Sequence, residues 1–293
     1  MFKKGYTSTK ISKYTLSGLT KEGRKKKYRV EDLAPILYLH LKIHGHKEYE
    51  KEYVMIDEAQ DLSPIQILTL LQISKKQNVT IAGDLAQSII PPFYIKDWKQ
   101  VIALFEKWNI EKYSYRQLNR CYRTTLEIIE YANKIFRERF PKTYKLPEAV
   151  LRHGEEIRNI THTEEIDKID EEKIKELIEL LKKEFDKGSA TCALICRDKE
   201  KARNAYERLI PYEKQLEKDI VDYTLNDYKT GLLILSVEDA KGLEFDSVIL
   251  LDVNSDTYPE SELSTRLLYV AITRALHRLI IVENSNKSPL LQI

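Results

Sequence analysis

An acid pair, Asp57-Glu58, stands directly after the apolar run Tyr53-Val54-Met55-Ile56 and is followed by Ala59-Gln60. A short buried strand that ends in two adjacent carboxylates can hold a metal ion and prime a water molecule. In a nucleotide hydrolase the first carboxylate steadies Mg²⁺ and the second orients the attacking water. Open α/β sheets bind their ligands at the C-terminal edge of the strands. The tetrapeptide alone is equally compatible with a strand that runs into an acidic turn.

The elements around the pair favour the first reading. Ser63-Pro64 opens a predicted helix over 63–74, with proline at the first helical position. A second predicted strand, Val79-Thr80-Ile81-Ala82, follows and runs into Gly83-Asp84-Leu85-Ala86-Gln87. Strand, helix and strand with a short return make a crossover, so the two strands are expected to be parallel. Both then end in polar loops on one sheet edge. Residues 30–44 carry helical apolar spacing, with Glu31 and Asp32 near the start. Residues 97–108 and 124–138 read as helices capped by Asp97 and Thr124, and 164–186 as an amphipathic surface helix. A second alternation comprises strand 192–196, helix 198–209, strands 232–236 and 247–252, helix 262–275 and strand 278–282. That alternation predicts a second parallel α/β layer.

The 293 residues suffice for two domains, and 42% apolar content suffices for packed cores. With 48 Lys and Arg against 46 acids the formal charge is +2, so nucleic-acid binding would have to come from local patches. The N-terminus, MFKKGYTSTK, has no signal-peptide core, and the apolar runs are too short to span a bilayer. Cys121, Cys192 and Cys196 lack metal-type spacing and read as reduced structural thiols, which fits the cytoplasm. His40, His44 and His46 lack the accompanying ligands of a metal site. Residues 1–28, with the cluster Arg24-Lys25-Lys26-Lys27, read as a polar basic segment.

Five segments in order resemble superfamily 1 helicases of the UvrD/Rep/PcrA type, over about residues 50–283. Val54 to Asp61 resembles motif II, and Thr80 to Ile89 motif III. Gln117 to Thr125 resembles motif IV, Asp239 to Asp246 motif V, and Arg266 to Ala275 motif VI. The resemblance implies RecA-like parallel sheets in an α/β fold, with ATP and Mg²⁺ as cofactors. Asp57 would hold Mg²⁺ through its water shell, and Glu58 would act as the base. Gln87 would sense the γ-phosphate and the lytic water. Arg123 and Arg274 would stabilise charge spread over the phosphoryl oxygens. Gly242 would permit a turn before Glu244, which would accept from the ribose hydroxyls. Tyr269 and Thr273 would shape the helix that presents Arg274.

The sequence departs from that family in three places. No G-x-x-x-x-G-K-[ST] phosphate loop is present among its nine glycines. The expectation is a fragment: residues 1–28, then the remainder of a first motor domain over 29–115, then a second motor domain over 116–293. The missing P-loop half would be supplied in cis or in trans; a split gene or a degenerate relative would look the same. The interval from Arg123 to Gly242 leaves no room for a large accessory subdomain, and Tyr28 to Tyr38 resembles the helicase IV and HelD branch. The resemblance therefore implies nucleic acid (DNA) or, as in that branch, RNA polymerase as the partner. Finally, Glu238-Asp239 stand where translocating relatives carry phosphate contacts, which argues against tracking along a strand. Phe93, Tyr94 and Trp98 are candidates for base stacking, although Pro91-Pro92 interrupts the pattern. The competing function is a non-catalytic module that docks a protein partner.

Overall fold

The computed structural model describes residues 29–292, except 90–94, 96, 109, 141–143, 151, 163, 167 and 223–229. The basic cluster at 24–27 and the aromatics Phe93 and Tyr94 lie outside the described residues. The chain divides into two compact units, Met1–Ser114 and Tyr115–Ile293.

In the first unit, α1 (Val30–His44) is followed by β1 (Val54–Ile56), α2 (Pro64–Gln72), β2 (Val79–Ile81) and α3 (Trp98–Lys107). Ser63 caps α2: its Oγ accepts from the Gln66 N–H while Gln66 Oε1 accepts from the Ser63 N–H at 2.7 Å. Such a reciprocal cap contributes about 1 kcal/mol. Asp97 caps α3 through the Lys99 N–H. β1 and β2 pair in parallel, Ile56 opposite Ile81, as a βαβ crossover requires. The alternation of β1 turns Val54 and Ile56 inward against Ile67 and Leu71, with Val101 and Leu104 of α3 in the same core. Met55 and Tyr53, on the other phase, are exposed.

The second unit opens with β3 (Arg120–Cys121), α4 (Leu126–Arg139) and β4 (Glu148–Ala149); β3 and β4 form a small parallel pair. Then come β5 (Arg158–Thr161), α5 (Glu171–Asp186), β6 (Thr191–Cys196), α6 (Lys199–Leu209), α7 (Glu213–Leu216), β7 (Ile220–Asp222) and β8 (Gly231–Ser236). The chain ends through α8 (Val237–Ala240), β9 (Phe245–Leu250), α9 (Glu262–Ile272) and β10 (Ala275–Glu283). Six strands make one all-parallel sheet in the order β5-β10-β9-β6-β8-β7. β6 and β8 are buried along their whole length, as continuous apolar strands covered on both faces must be. This is the α/β fold with parallel sheets expected from the sequence.

Several sequence expectations shift. Thr125, not Thr124, is the cap residue of α4; the Thr124 hydroxyl donates instead to the Ala275 carbonyl at 2.6 Å. The helix predicted over 164–186 starts at Glu171, because Asp170 caps it by accepting from the Lys173 N–H. The Ile166 N–H is meanwhile drawn to the Asp252 carboxylate. The strand predicted at 247–252 runs from Phe245 to Leu250. β5 and β7, absent from the sequence reading, form the two edges of the sheet. All three cysteines are free, and burial pushes the Cys192 and Cys196 thiols far above their ordinary range. Among the described residues no helix is long and apolar enough to cross a membrane.

Candidate functional site

The first unit carries Asp57, Glu58 and Gln87 on neighbouring loops after β1 and β2. β1 ends because Glu58 adopts a left-handed conformation, φ 51°, a region that ordinary side chains avoid. The Asp57 Oδ1 braces it by accepting from the Glu58 N–H at 2.9 Å. The chain then turns so that the Ala59 N–H donates to Ala82 O at 2.9 Å, which ties the two loops together. Asp57 and Glu58 both face solvent. Asp84 organises the second loop: its carboxylate accepts from the Ala86 N–H and from Gln87 Nε2, each at 2.9 Å. The Gln87 side chain is thereby fixed beside the acid-bearing loop.

One residue that sequence reasoning left without a role joins these loops. Gln60 is fully buried. Its Nε2 donates to Glu58 Oε2 at 2.5 Å, and its Oε1 accepts from the Asp84 N–H at 2.9 Å. Its carbonyl accepts from the Ile95 N–H at 3.1 Å and the Ser88 hydroxyl at 3.3 Å. Gly83 makes room for it: a Cβ there would stand 2.4 Å from Gln60 Oε1. The signal in the sequence was an amide two positions beyond an acid pair, with a glycine ahead of Asp84.

The second unit gathers the other candidates around the turn before β9. Gly242, at φ +80°, makes that turn with open space around it, so the backbone conformation is what favours glycine there. Glu244 Oε1 pairs with Arg123 Nη2 at 2.7 Å, and both side chains are substantially exposed. Arg274 is different. It is 1% exposed, and its Nη1 donates to Leu243 O at 3.1 Å, its Nε to Val270 O at 3.1 Å and its Nη2 to Thr273 Oγ1 at 3.4 Å. The backbone carbonyl of Arg274 also accepts from the Phe245 N–H. Arg123, Glu244 and Arg274 therefore share one corner, at the N-terminal ends of β9 and β10. Helix α9 sets the position: residues 264–272 are all buried, and Tyr269 packs at a tilt against Phe136 of α4 with ring centroids 4.9 Å apart. Arg266 is held over Phe140 and Tyr144 and donates to the Tyr144 hydroxyl at 2.6 Å.

Asp239 is engaged locally. Its N–H donates to Ser236 Oγ, the Ser236 hydroxyl donates to its carboxylate at 2.8 Å, and Lys199 pairs with it at 3.1 Å. Trp98 opens α3 and is half-buried against the first unit's core, the usual fate of an aromatic.

Asp57, a solvent-facing carboxylate on a strand end, fits a Mg²⁺ ion that keeps most of its waters and takes its remaining ligands from phosphate. Among the described residues no group of three or more His, Cys, Asp or Glu is arranged to hold a metal, His40, His44 and His46 included. The described loops bring two acids, Asp57 and Glu58, and a glutamine, Gln87, to one sheet edge, without a glycine-rich cradle beside them.

Residues 24–90 match the UvrD/REP helicase N-terminal domain, and residues 231–282 match the UvrD-like helicase C-terminal domain. The first match lies in the first unit and contains Asp57, Glu58 and Gln87; the second lies in the second unit and contains Gly242, Glu244 and Arg274. No curated protein matches the sequence. Among solved structures, the chain is similar to the C-terminal domain of a possible DNA helicase from Lactobacillus plantarum WCFS1. That likeness has 23% identity and a TM-score of 0.45, over 58% of this chain and 91% of that one. It is also similar to the PRRSV helicase, at 14% identity and a TM-score of 0.39, over 79% of this chain and 34% of that one. The chain thus spans about a third of that helicase's length.

Proposed function

We propose that this chain is the later part of the motor of a UvrD-like superfamily 1 ATPase, which hydrolyses ATP between two RecA-like domains once a phosphate-binding segment is supplied. The observation that carries the reading is the coincidence just described. Each family match falls in its own unit, and each covers a cluster of residues suited to one side of a nucleotide. In this reading Asp57 holds the Mg²⁺ of Mg-ATP, Glu58 takes the proton of the attacking water, and Gln87 positions that water. Arg123 and Arg274 neutralise charge on the transferred phosphoryl group. Exposed apolar side chains on α1 (Val30, Leu33), on β1 (Met55) and just before it (Tyr53) support a first motor domain to which further layers are added.

The target of the motor is nucleic acid or RNA polymerase. The compact second unit, in which β5 through β8 all belong to one sheet, supports the HelD-like version acting on polymerase. So does the exposed acid Glu238, which a phosphate backbone would avoid; Asp239 beside it is already paired with Lys199. The second reading, a non-catalytic module that docks a protein, draws on the burial of Arg274 and on the sequence's lack of a P-loop motif.

The test is reconstitution with the phosphate-binding half, followed by measurement of ATP turnover. Glu58→Gln is expected to abolish turnover, and Arg123→Ala to lower it by about 10³-fold or more. Full turnover in both variants would overturn the reading. The chain by itself is expected to bind Mg-ATP weakly; tight binding would show that the phosphate contacts are already present.

A further inference from the structure

We infer that Gln60 is a positioning residue that sets the Glu58 carboxylate and makes its setting depend on the loop that carries Gln87. The inference rests on the reading of Glu58 as the base. It follows from what a primary amide can and cannot do. A backbone N–H only donates, so the Asp84 N–H fixes the oxygen of the Gln60 amide at its end. That leaves the NH₂ group pointing at Glu58 Oε2, where it donates at 2.5 Å. The amide cannot reverse without losing both bonds. Because Gln60 is fully buried, water does not replace either partner.

The coupling is short. Asp84, whose N–H fixes the amide, also holds the Gln87 side chain and the Ala86 N–H with its carboxylate. A displacement of this loop moves the Asp84 N–H, releases the amide rotor of Gln60 and loosens its hold on the Glu58 carboxylate. Gly83 is the contact surface of this linkage, since a methyl group there would press on Gln60 Oε1. Glu58 itself lies on a left-handed backbone, φ 51°, a conformation that costs energy to hold.

The two bonds can be cut separately. Gln60→Glu keeps an oxygen facing the Asp84 N–H but replaces the donor to Glu58 with a second carboxylate. Gln60→Leu removes both bonds at similar volume. Gly83→Ala keeps both side chains but presses on Gln60 Oε1 and crowds the Ala59 and Gln60 backbone nitrogens. The probe is the carboxyl carbon resonance of Glu58 in ¹³C-labelled chain, assigned by its loss in Glu58→Gln, together with hydrogen exchange at the Asp84 amide. The expected result is a shifted Glu58 resonance in all three variants. Asp84 protection is expected to be retained in Gln60→Glu and lost in Gln60→Leu. In the reconstituted motor, Gln60→Glu is expected to lower kcat by about 10²-fold with KM unchanged, the effect of a misplaced catalytic group. An unmoved Glu58 resonance in Gln60→Leu, or unchanged kcat in Gln60→Glu where Glu58→Gln is inactive, would overturn the inference. Full activity of Glu58→Gln would instead sink the functional reading, while the resonance and exchange data would still decide whether Gln60 holds Glu58.

Discussion

Replacing Arg274 with alanine separates a structural cation from a catalytic one, and its effect on stability can be worked from the contacts. The guanidinium is 1% exposed and donates to Leu243 O, Val270 O and Thr273 Oγ1. Val270 O also accepts from the Thr273 hydroxyl at 3.0 Å, so it stays partly satisfied after truncation. Leu243 O, on the Gly242 turn, loses a charged donor, which costs about 1–3 kcal/mol. The void left by the long side chain adds about 2–4 kcal/mol. Relief from burying a cation offsets part of this. The net expectation is about 4 kcal/mol, or a drop of about 8–16 °C in Tm for a unit of this size. The assay is thermal melting by circular dichroism alongside tryptophan fluorescence. Both tryptophans, Trp98 and Trp108, lie in the first unit, so their transition reports that unit alone. The Arg274→Ala melt is expected to shift in the circular dichroism signal of the second unit. A shift below about 2 °C would refute the argument, because it would mean that the guanidinium is not held where these bonds place it.

Three further outcomes follow from the second unit. Glu184 is fully buried and is bound by Arg158, by Arg278 at 2.9 Å and by the Ser247 hydroxyl at 3.0 Å. Glu184→Leu takes the carboxylate from the mostly buried Arg278, while the half-exposed Arg158 stays hydrated, and is expected to cost about 3 kcal/mol, read as a lower urea midpoint; an unchanged midpoint would mean that the cluster is not a unit. Arg123→Ala and Glu244→Ala remove an exposed pair, so each is expected to change stability by less than about 1 kcal/mol. A larger loss would assign Arg123 to structure. His277 is held below the ordinary histidine value by burial and by the Arg152 guanidinium that donates to its Nδ1. The folded state therefore binds this proton less readily than the unfolded state, and stability falls as pH drops below the ordinary value of about 6.5. His277→Gln is expected to flatten that decline, with the residual slope belonging to His162, which burial and Lys173 also lower; superimposable curves would refute the assignment.

What could be read from the sequence followed how local each signal was. The caps of α2 and α3 were visible because Ser63 and Asp97 act on N–H groups within three residues of themselves. β6 and β8 were visible because strands buried on both faces are apolar throughout. β5 and β7 were missed because an edge strand of four residues, Arg158–Thr161, or of three, Ile220–Asp222, carries too few positions to show a period. The start of α5 was missed for another reason. The apolar spacing continues upstream through Ile166 and Ile169, but the Asp170 cap sets the start and the distant Asp252 carboxylate claims the Ile166 N–H. Gln60 and Arg274 show the same limit at the site. Both residues were in view, but the partners that define them, the Asp84 N–H and the Leu243 carbonyl, are distant in sequence.

The contacts of the two arginines also order their part in the proposed reaction. Arg123 now faces a carboxylate, and phosphate oxygens would replace that carboxylate with another anion in the same exposed corner. The exchange is nearly isoenergetic, because an exposed pair is worth about 0–1 kcal/mol. It also frees Glu244 as an acceptor for hydroxyl groups of the nucleotide. Arg274 cannot move so easily. To reach a phosphate it must leave Leu243 O and its buried berth, a step of several kcal/mol on the estimate above. Such a step becomes favourable only where a strongly anionic group in a dry setting takes over its bonds. Nucleotide capture by Arg123 would therefore come first, and Arg274 would engage only once phosphoryl charge is concentrated beside it. In this picture the burial of Arg274 acts as a threshold: it keeps the second of the two charge donors out of reach of weakly charged ligands.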